Sequence, residues 1–216
     1  IAMAFAGIGG ALASPIGTAI IEAFGWRMGY IVLGIAIIVL VEPWILTMFD
    51  RRPQDVGLLP YGYTEKAAQA KEEAKDVELP GIPLKTAVKT LPFVCLFLFA
   101  GIDGLFAGYN SHLPNFALTI GHTAAVGAAF VSLSQIGYVV FSFILGPIID
   151  RIGVAKPTYI VFVVVVIVTL LGFMYIRDEA LLYICAFFFG ANMTAITISL
   201  PKLVVKIFGP KDFTSV

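Results

Sequence analysis

One acidic residue, Asp103, stands inside an otherwise apolar run, Leu91–Asn110. Twelve residues past Leu91 is roughly 18 Å along a helix rising ~1.5 Å per residue, which is near mid-depth for a membrane-crossing helix. A carboxylate there must be paired, wetted or protonated, so it is a candidate for carrying a coupled proton or touching a substrate. The structural alternative is an acid hydrogen-bonded to a neighbouring helix. Gln135, with Ser132 and Ser134, and Asn192, with Thr194, Thr197 and Ser199, place further polar groups in two other apolar runs. Gln135 and Asn192 are candidates for lining a cavity, although helix–helix hydrogen bonds account for such residues as well. Ser132 and Gln135, three apart, share one helix face.

Tyr109, Asn110, Ser111 and His112, followed by Pro114 and Asn115, close the run that holds Asp103. They read either as a polar helix end facing a cavity, able to bind substrate, or as an interfacial aromatic belt. A second constellation is Gly146-Pro147-Ile148-Ile149-Asp150-Arg151-Ile152-Gly153. Its glycines allow close helix approach and unusual backbone angles. Asp150 can accept backbone N–H bonds at a neighbouring helix start. Arg151 can pair with an acid or a lipid phosphate, and the plain alternative is a basic turn that only anchors orientation.

Other chemistries find no footing. The two histidines, His112 and His122, belong to no HExxH pattern, and there is no GxSxG or GxxxxGK[ST]. A membrane-embedded enzyme or an ATP-driven pump therefore has no sequence support, and neither cofactor nor metal is expected. Cys95 and Cys185 lack CxxC spacing and read as small apolar packing residues. Zero net charge gives no reason to expect a nucleic-acid partner.

The elements that must hold these groups are long. Of 216 residues, 59% are hydrophobic and only 13% charged, where a soluble domain sits nearer half and a quarter. Six apolar blocks emerge, near Ile1–Phe24, Met28–Phe49, Leu91–Asn110, Thr123–Ile149, Pro157–Ile176 and Ala180–Leu200. Each is long enough to span a bilayer as a helix. The run Val161–Val168 lacks the alternation of a barrel strand, and in lipid only a helix satisfies its backbone. The expected fold class is all-α integral membrane, six transmembrane helices. Between the second and third blocks lies a polar linker, residues 50–90, with Glu65–Asp76 rich in helix formers and Pro80, Pro83 and Pro92 near its end. Glu42-Pro43-Trp44 marks a kink in the second block, with Glu42 reaching toward the nearer interface.

Alternating sides divide the basic residues unevenly. The linker, the turn near residues 150–156 and the tail after Leu200 hold Arg51, Arg52, Lys66, Lys71, Lys75, Lys85, Lys89, Arg151, Lys156, Lys202, Lys206 and Lys211, while the other side holds only Arg27 and Arg177. The positive-inside rule makes the crowded side cytoplasmic and the chain a multi-pass protein of the cell membrane. No Lys or Arg lies well inside any block, so a cation for a carboxylate at mid-depth is missing from the expected spans.

The order of these features is similar to that of the major facilitator superfamily of transporters. Gly146-x-x-x-Asp150-Arg151-x-Gly153 resembles the family's signature loop in its weaker second copy, between helices 8 and 9. Val154 and Ala155 stand where the family motif has a basic pair, and Lys156 follows. Gly25-Trp26-Arg27 resembles the turn between helices 5 and 6. Arg51-Arg52-Pro53-Gln54-Asp55-Val56-Gly57-Leu58-Leu59-Pro60 resembles the start of the central loop, and Lys206-Ile207-Phe208-Gly209 the loop after helix 10. Gly7, Gly10, Pro15 and Gly17 echo the helix 5 motif with altered spacing.

The resemblance covers essentially the whole chain and implies helices 5 to 10, with helices 1–4 and 11–12 outside it. Residues 1–49 then close the N-terminal half-bundle, 50–90 form the cytoplasmic linker, and 91–216 hold the first four helices of the C-terminal half. It further implies secondary transport of a small solute by alternating access, as symporter or antiporter, with a site at the bilayer midplane. Asp103 makes a proton the candidate coupling ion, and the central loop with the Pro60 and Phe208 motifs resembles most the bacterial monocarboxylate and oxalate/formate branch. Gly104 and Gly108, with Gly101 nearby, read as a close-packing pair or as a bendable helix. The rival to transport is a sensor or scaffold that kept the fold.

Overall fold

The computed structural model describes residues 2–48 and 81–209, all in helices, turns and short connections with no strand among them. In chain order the helices are α1 (Ala2–Phe24), α2 (Trp26–Leu40), α3 (Glu42–Met48), α4 (Leu84–Ala87), α5 (Leu91–Tyr109), α6 (Leu113–Thr119), α7 (Ala124–Ile152), α8 (Ala155–Ile167), α9 (Glu179–Phe189), α10 (Ala191–Thr194) and α11 (Leu200–Phe208). Six stretches are long and apolar enough to cross a membrane: Phe5–Phe24, Trp26–Thr47, Leu91–Thr119, Ala124–Ile152, Ala155–Phe173 and Glu179–Phe208. These match the six apolar blocks. The linker motif near residues 51–60 and the helix expected over Glu65–Asp76 lie outside the described residues.

Two spans run further than their composition suggested. The third continues past Asn110 as a single 3₁₀ turn, Asn110–His112, into α6. Pro114 has no N–H for the Asn110 carbonyl, and Leu113 N–H takes that carbonyl instead, tightening the turn. The Ser111 hydroxyl donates to Gly108 O at 2.7 Å. The sixth span reaches Phe208 rather than stopping near Leu200, because a π-helical stretch, Ala195–Ser199, precedes Pro201 and carries the chain into α11. A second π stretch, Val168–Phe173, ends the fifth span. Caps start two spans: Thr123 Oγ1 accepts from Val126 N, and Asp178 Oδ1 from Leu181 N.

Contacts divide the chain into two units, Ile1–Ala19 with Gly81–Val216, and Ile20–Pro80. In the smaller, Pro43 sits where the second span breaks at Val41, between α2 and α3. Arg27 stacks over Trp26, 4.5 Å from its ring centre.

In the larger unit the sixth span is central, packing on α5, α7 and α8. Lipid gives apolar helices no reason to associate, so close van der Waals fit must hold them. The closest fit is at two glycines. A Cβ at Gly137 would strike the carbonyl of Phe187, and one at Gly190 the carbonyl of Ser134, so α7 and the sixth span meet backbone to backbone. Phe173 and Phe189, 6.0 Å apart, pack with Tyr109 and Phe116 beside that crossing. By contrast, no described atom lies within 4 Å of a Cβ built at Gly101, Gly104 or Gly108. The expected close packing at Gly104 and Gly108 is absent among the described residues, since they face away from the one buried side of α5. Residues 81–90 dock on the end of the sixth span: Ile82 N–H donates to Phe208 O, and Ala87 is fully buried.

Candidate functional site

The only residue of α5 that is buried is its acid. Asp103 has no exposed surface, and neither carboxylate oxygen has a hydrogen-bond partner among the described residues. It points inward because α5 turns one narrow face to the sixth span, and Asp103 is on that face. Asn110 follows seven residues later, two turns along the same face. These two positions define a polar strip that other spans meet.

Asn192 meets it from the sixth span. Its Nδ2 donates to the backbone carbonyl of Asp103 at 3.3 Å, while its Oδ1 is buried without a partner among the described residues. Ser134 meets it from α7. Its hydroxyl lies 3.0 Å from Asn110 Oδ1 and 2.8 Å from Val131 O, and with one hydrogen it serves one acceptor at a time. Gly190, which lets α7 approach, is two residues from Asn192, so the crossing that holds the bundle also sets the strip. Thr194 and Ser199 on the sixth span and Thr169 on the fifth add buried hydroxyls without partners among the described residues. Orphaned polar groups of this kind are costly in hydrocarbon and are kept where they serve function.

The sequence candidates therefore divide into three places. Asp103 and Asn192 come together, and Asn110 with Tyr109 lies further along the same helix, the Tyr109 ring against Phe173 and Phe189. Gln135 faces elsewhere. It sits against Gly7 and Gly10 of α1, where Ser132 Oγ donates to Ala11 O at 2.7 Å and Ser14 Oγ to Ala128 O at 3.1 Å. The shared face of Ser132 and Gln135 is thus the face toward α1.

The third place is the end of α7. Gly146, Asp150 and Arg151 are helical, and only Gly153 makes the turn, with φ of +87° that favours glycine. Asp150 pairs not with a backbone N–H at a neighbouring helix start but with the ammonium of Lys202 on α11. Arg151 is exposed. Gly146 and Asp150, four apart on one face, line a groove of about 510 Å³ between α7 and the sixth span, with Ser142, Thr197 and Lys202. Lys202 was not a candidate from sequence, because Pro201 and the lysine look like the end of a span. The π stretch that carries the helix through them was the missing signal.

No cluster of three or more His, Cys, Asp or Glu side chains able to hold a metal ion occurs among the described residues. A family model, Major Facilitator Superfamily, matches residues 1–216. Comparison with curated proteins finds no match. With six membrane-length helices and a match over its full length, the chain belongs to the major facilitator superfamily of membrane transporters.

Proposed function

We propose that the protein is a secondary active transporter that moves a small solute by alternating access, with a proton as coupling ion and small organic anions such as monocarboxylates as cargo. The described helices stand for helices 5 to 10 of a twelve-helix bundle, and the linker of residues 50–90 faces the cytoplasm of a cell-membrane protein. Asp103, Gln135, Asn192, Tyr109 and Asn110 contribute to the pathway, and Gly146, Asp150 and Arg151 at the end of α7, with the Gly153 turn, form a gating element.

The observation that carries this reading is the state of Asp103: fully buried, with both oxygens unpartnered among the described residues, its backbone carbonyl bonded by Asn192 of another span. Burying a lone carboxylate costs so much that the group sheds its charge when nothing pairs with it. A bound proton removes that charge. A carboxyl that is neutral when closed off and ionised when wetted is the requirement for coupling a proton to a change of access. The test uses the intact protein in liposomes, with lactate or formate uptake driven by an imposed pH gradient. Gradient-driven uptake that Asp103→Asn uncouples supports the reading. Absence of flux for every monocarboxylate tried, with no response to the gradient, overturns it.

A further inference from the structure

The groove between α7 and the sixth span carries an ammonium whose present partner holds it only weakly. Lys202 and Asp150 keep 41% and 69% of their side-chain surface exposed, and ion pairs that exposed contribute little. They are therefore easily exchanged. The groove has the volume of a small-molecule site and the usual mixture of walls, apolar with a few polar groups. Phe143 and Pro201 supply apolar surface, Thr197 a hydroxyl, and Ser142 a hydroxyl whose oxygen has no hydrogen-bond partner among the described residues. Among the described residues, Lys202 is the one cation lining it. Asp150 already shows what such an ammonium takes from this direction, since a side-chain carboxylate is a tethered copy of a free one.

We propose that Lys202 is an anion-binding subsite, at which a small organic anion displaces Asp150 and lays its apolar body along the groove. Asp150 acts as an internal competitor that occupies the ammonium when no anion is present and returns to it on release. The site's location rests on the groove and the ion pair, and its role in transport rests on the reading above.

The test is protection of Lys202 in the purified intact protein. An amine-acylating reagent is applied, and modification of each lysine is read by peptide mass spectrometry. Lactate is expected to slow acylation of Lys202 by about twofold or more while leaving Lys156 and Lys206 unchanged. Neutral lactamide and sodium chloride at matched strength should have no effect. In Asp150→Asn the lactate concentration that gives half-protection should fall roughly two- to fivefold, the size of an exposed pair's competition. In calorimetric titration with lactate, used because these variants carry no amine at position 202, Lys202→Arg should keep binding and Lys202→Met should lose on the order of tenfold.

If Asp150→Asn leaves protection unchanged or weakens it, the pair is only a clasp between helix ends and the subsite is wrong. Protection by phosphatidylglycerol but not by lactate assigns the ammonium to lipid and also overturns the proposal. Lactate uptake without protection of Lys202 removes the subsite and leaves the transport reading standing. Protection without flux does the reverse. The measurement on unaltered protein needs no variant to fold.

Discussion

At the scale of single residues, the balance between charge and burial decides most. Because neither oxygen of Asp103 has a partner among the described residues, exchanging it for Asn breaks no side-chain hydrogen bond there. Asp103→Asn is expected to melt within about 1 kcal/mol of the native protein in detergent while gradient-driven uptake falls at least about tenfold. Uptake that keeps its dependence on pH would remove the acid from the coupling role. Ser134→Ala strips the hydrogen bond to Asn110 and should cost roughly 0.5–1 kcal/mol, measured as a lower melting temperature with uptake largely kept. Asp103 was visible in the sequence because a lone acid in twenty apolar residues has few other readings. Its neighbour Asn192 could be suspected but not placed, since one helix does not reveal which face its neighbour takes. Lys202 was hidden altogether, being a lysine next to a proline at what composition marks as an end.

At the scale of elements, glycine position decides what the spans can do. Gly137 and Gly190 let α7 and the sixth span touch backbone to backbone. Gly137→Ala must push those helices apart, and a loss of about 1–3 kcal/mol or more is expected from overpacking, read as a lower melting temperature. Gly104→Ala meets no described atom and should melt no lower than the native protein, because alanine is the better helix former. A fall at Gly104 and none at Gly137 would reverse this assignment of the contact. The six spans themselves were legible from apolar length alone. Which glycines made contacts was not, because spacing within one helix says nothing about its partner. The breaks at Asn110–His112 and Ala195–Ser199 were also missed, since a polar or proline-bearing patch resembles a terminus unless neighbouring helices continue to bury the chain beyond it.

At the scale of the whole molecule, the placement of basic residues predicts the direction in which the protein sits. In a background without Cys95 and Cys185, a cysteine replacing Arg27 should react with a membrane-impermeant maleimide on intact cells, and one replacing Lys156 only after permeabilisation. The opposite labelling would invert the proposed topology. The lengths of the spans bear on the membrane as well. The third, fourth and sixth run 29, 29 and 30 residues, whereas the other three run 19 to 22. At ~1.5 Å per residue the longer ones measure roughly 44–45 Å against a hydrocarbon core of about 30 Å. Tilt alone would need roughly 45–50°, more than the 0–40° seen in bundles, so these helices must bend or protrude, and two of them are broken where bending can occur. The same three carry Asp103, Asn192 and the Lys202 groove. Bilayer thickness therefore acts directly on the segments that hold the polar strip, and lengthening or shortening the lipid chains should retune the resting balance of the transporter without any change in its solute.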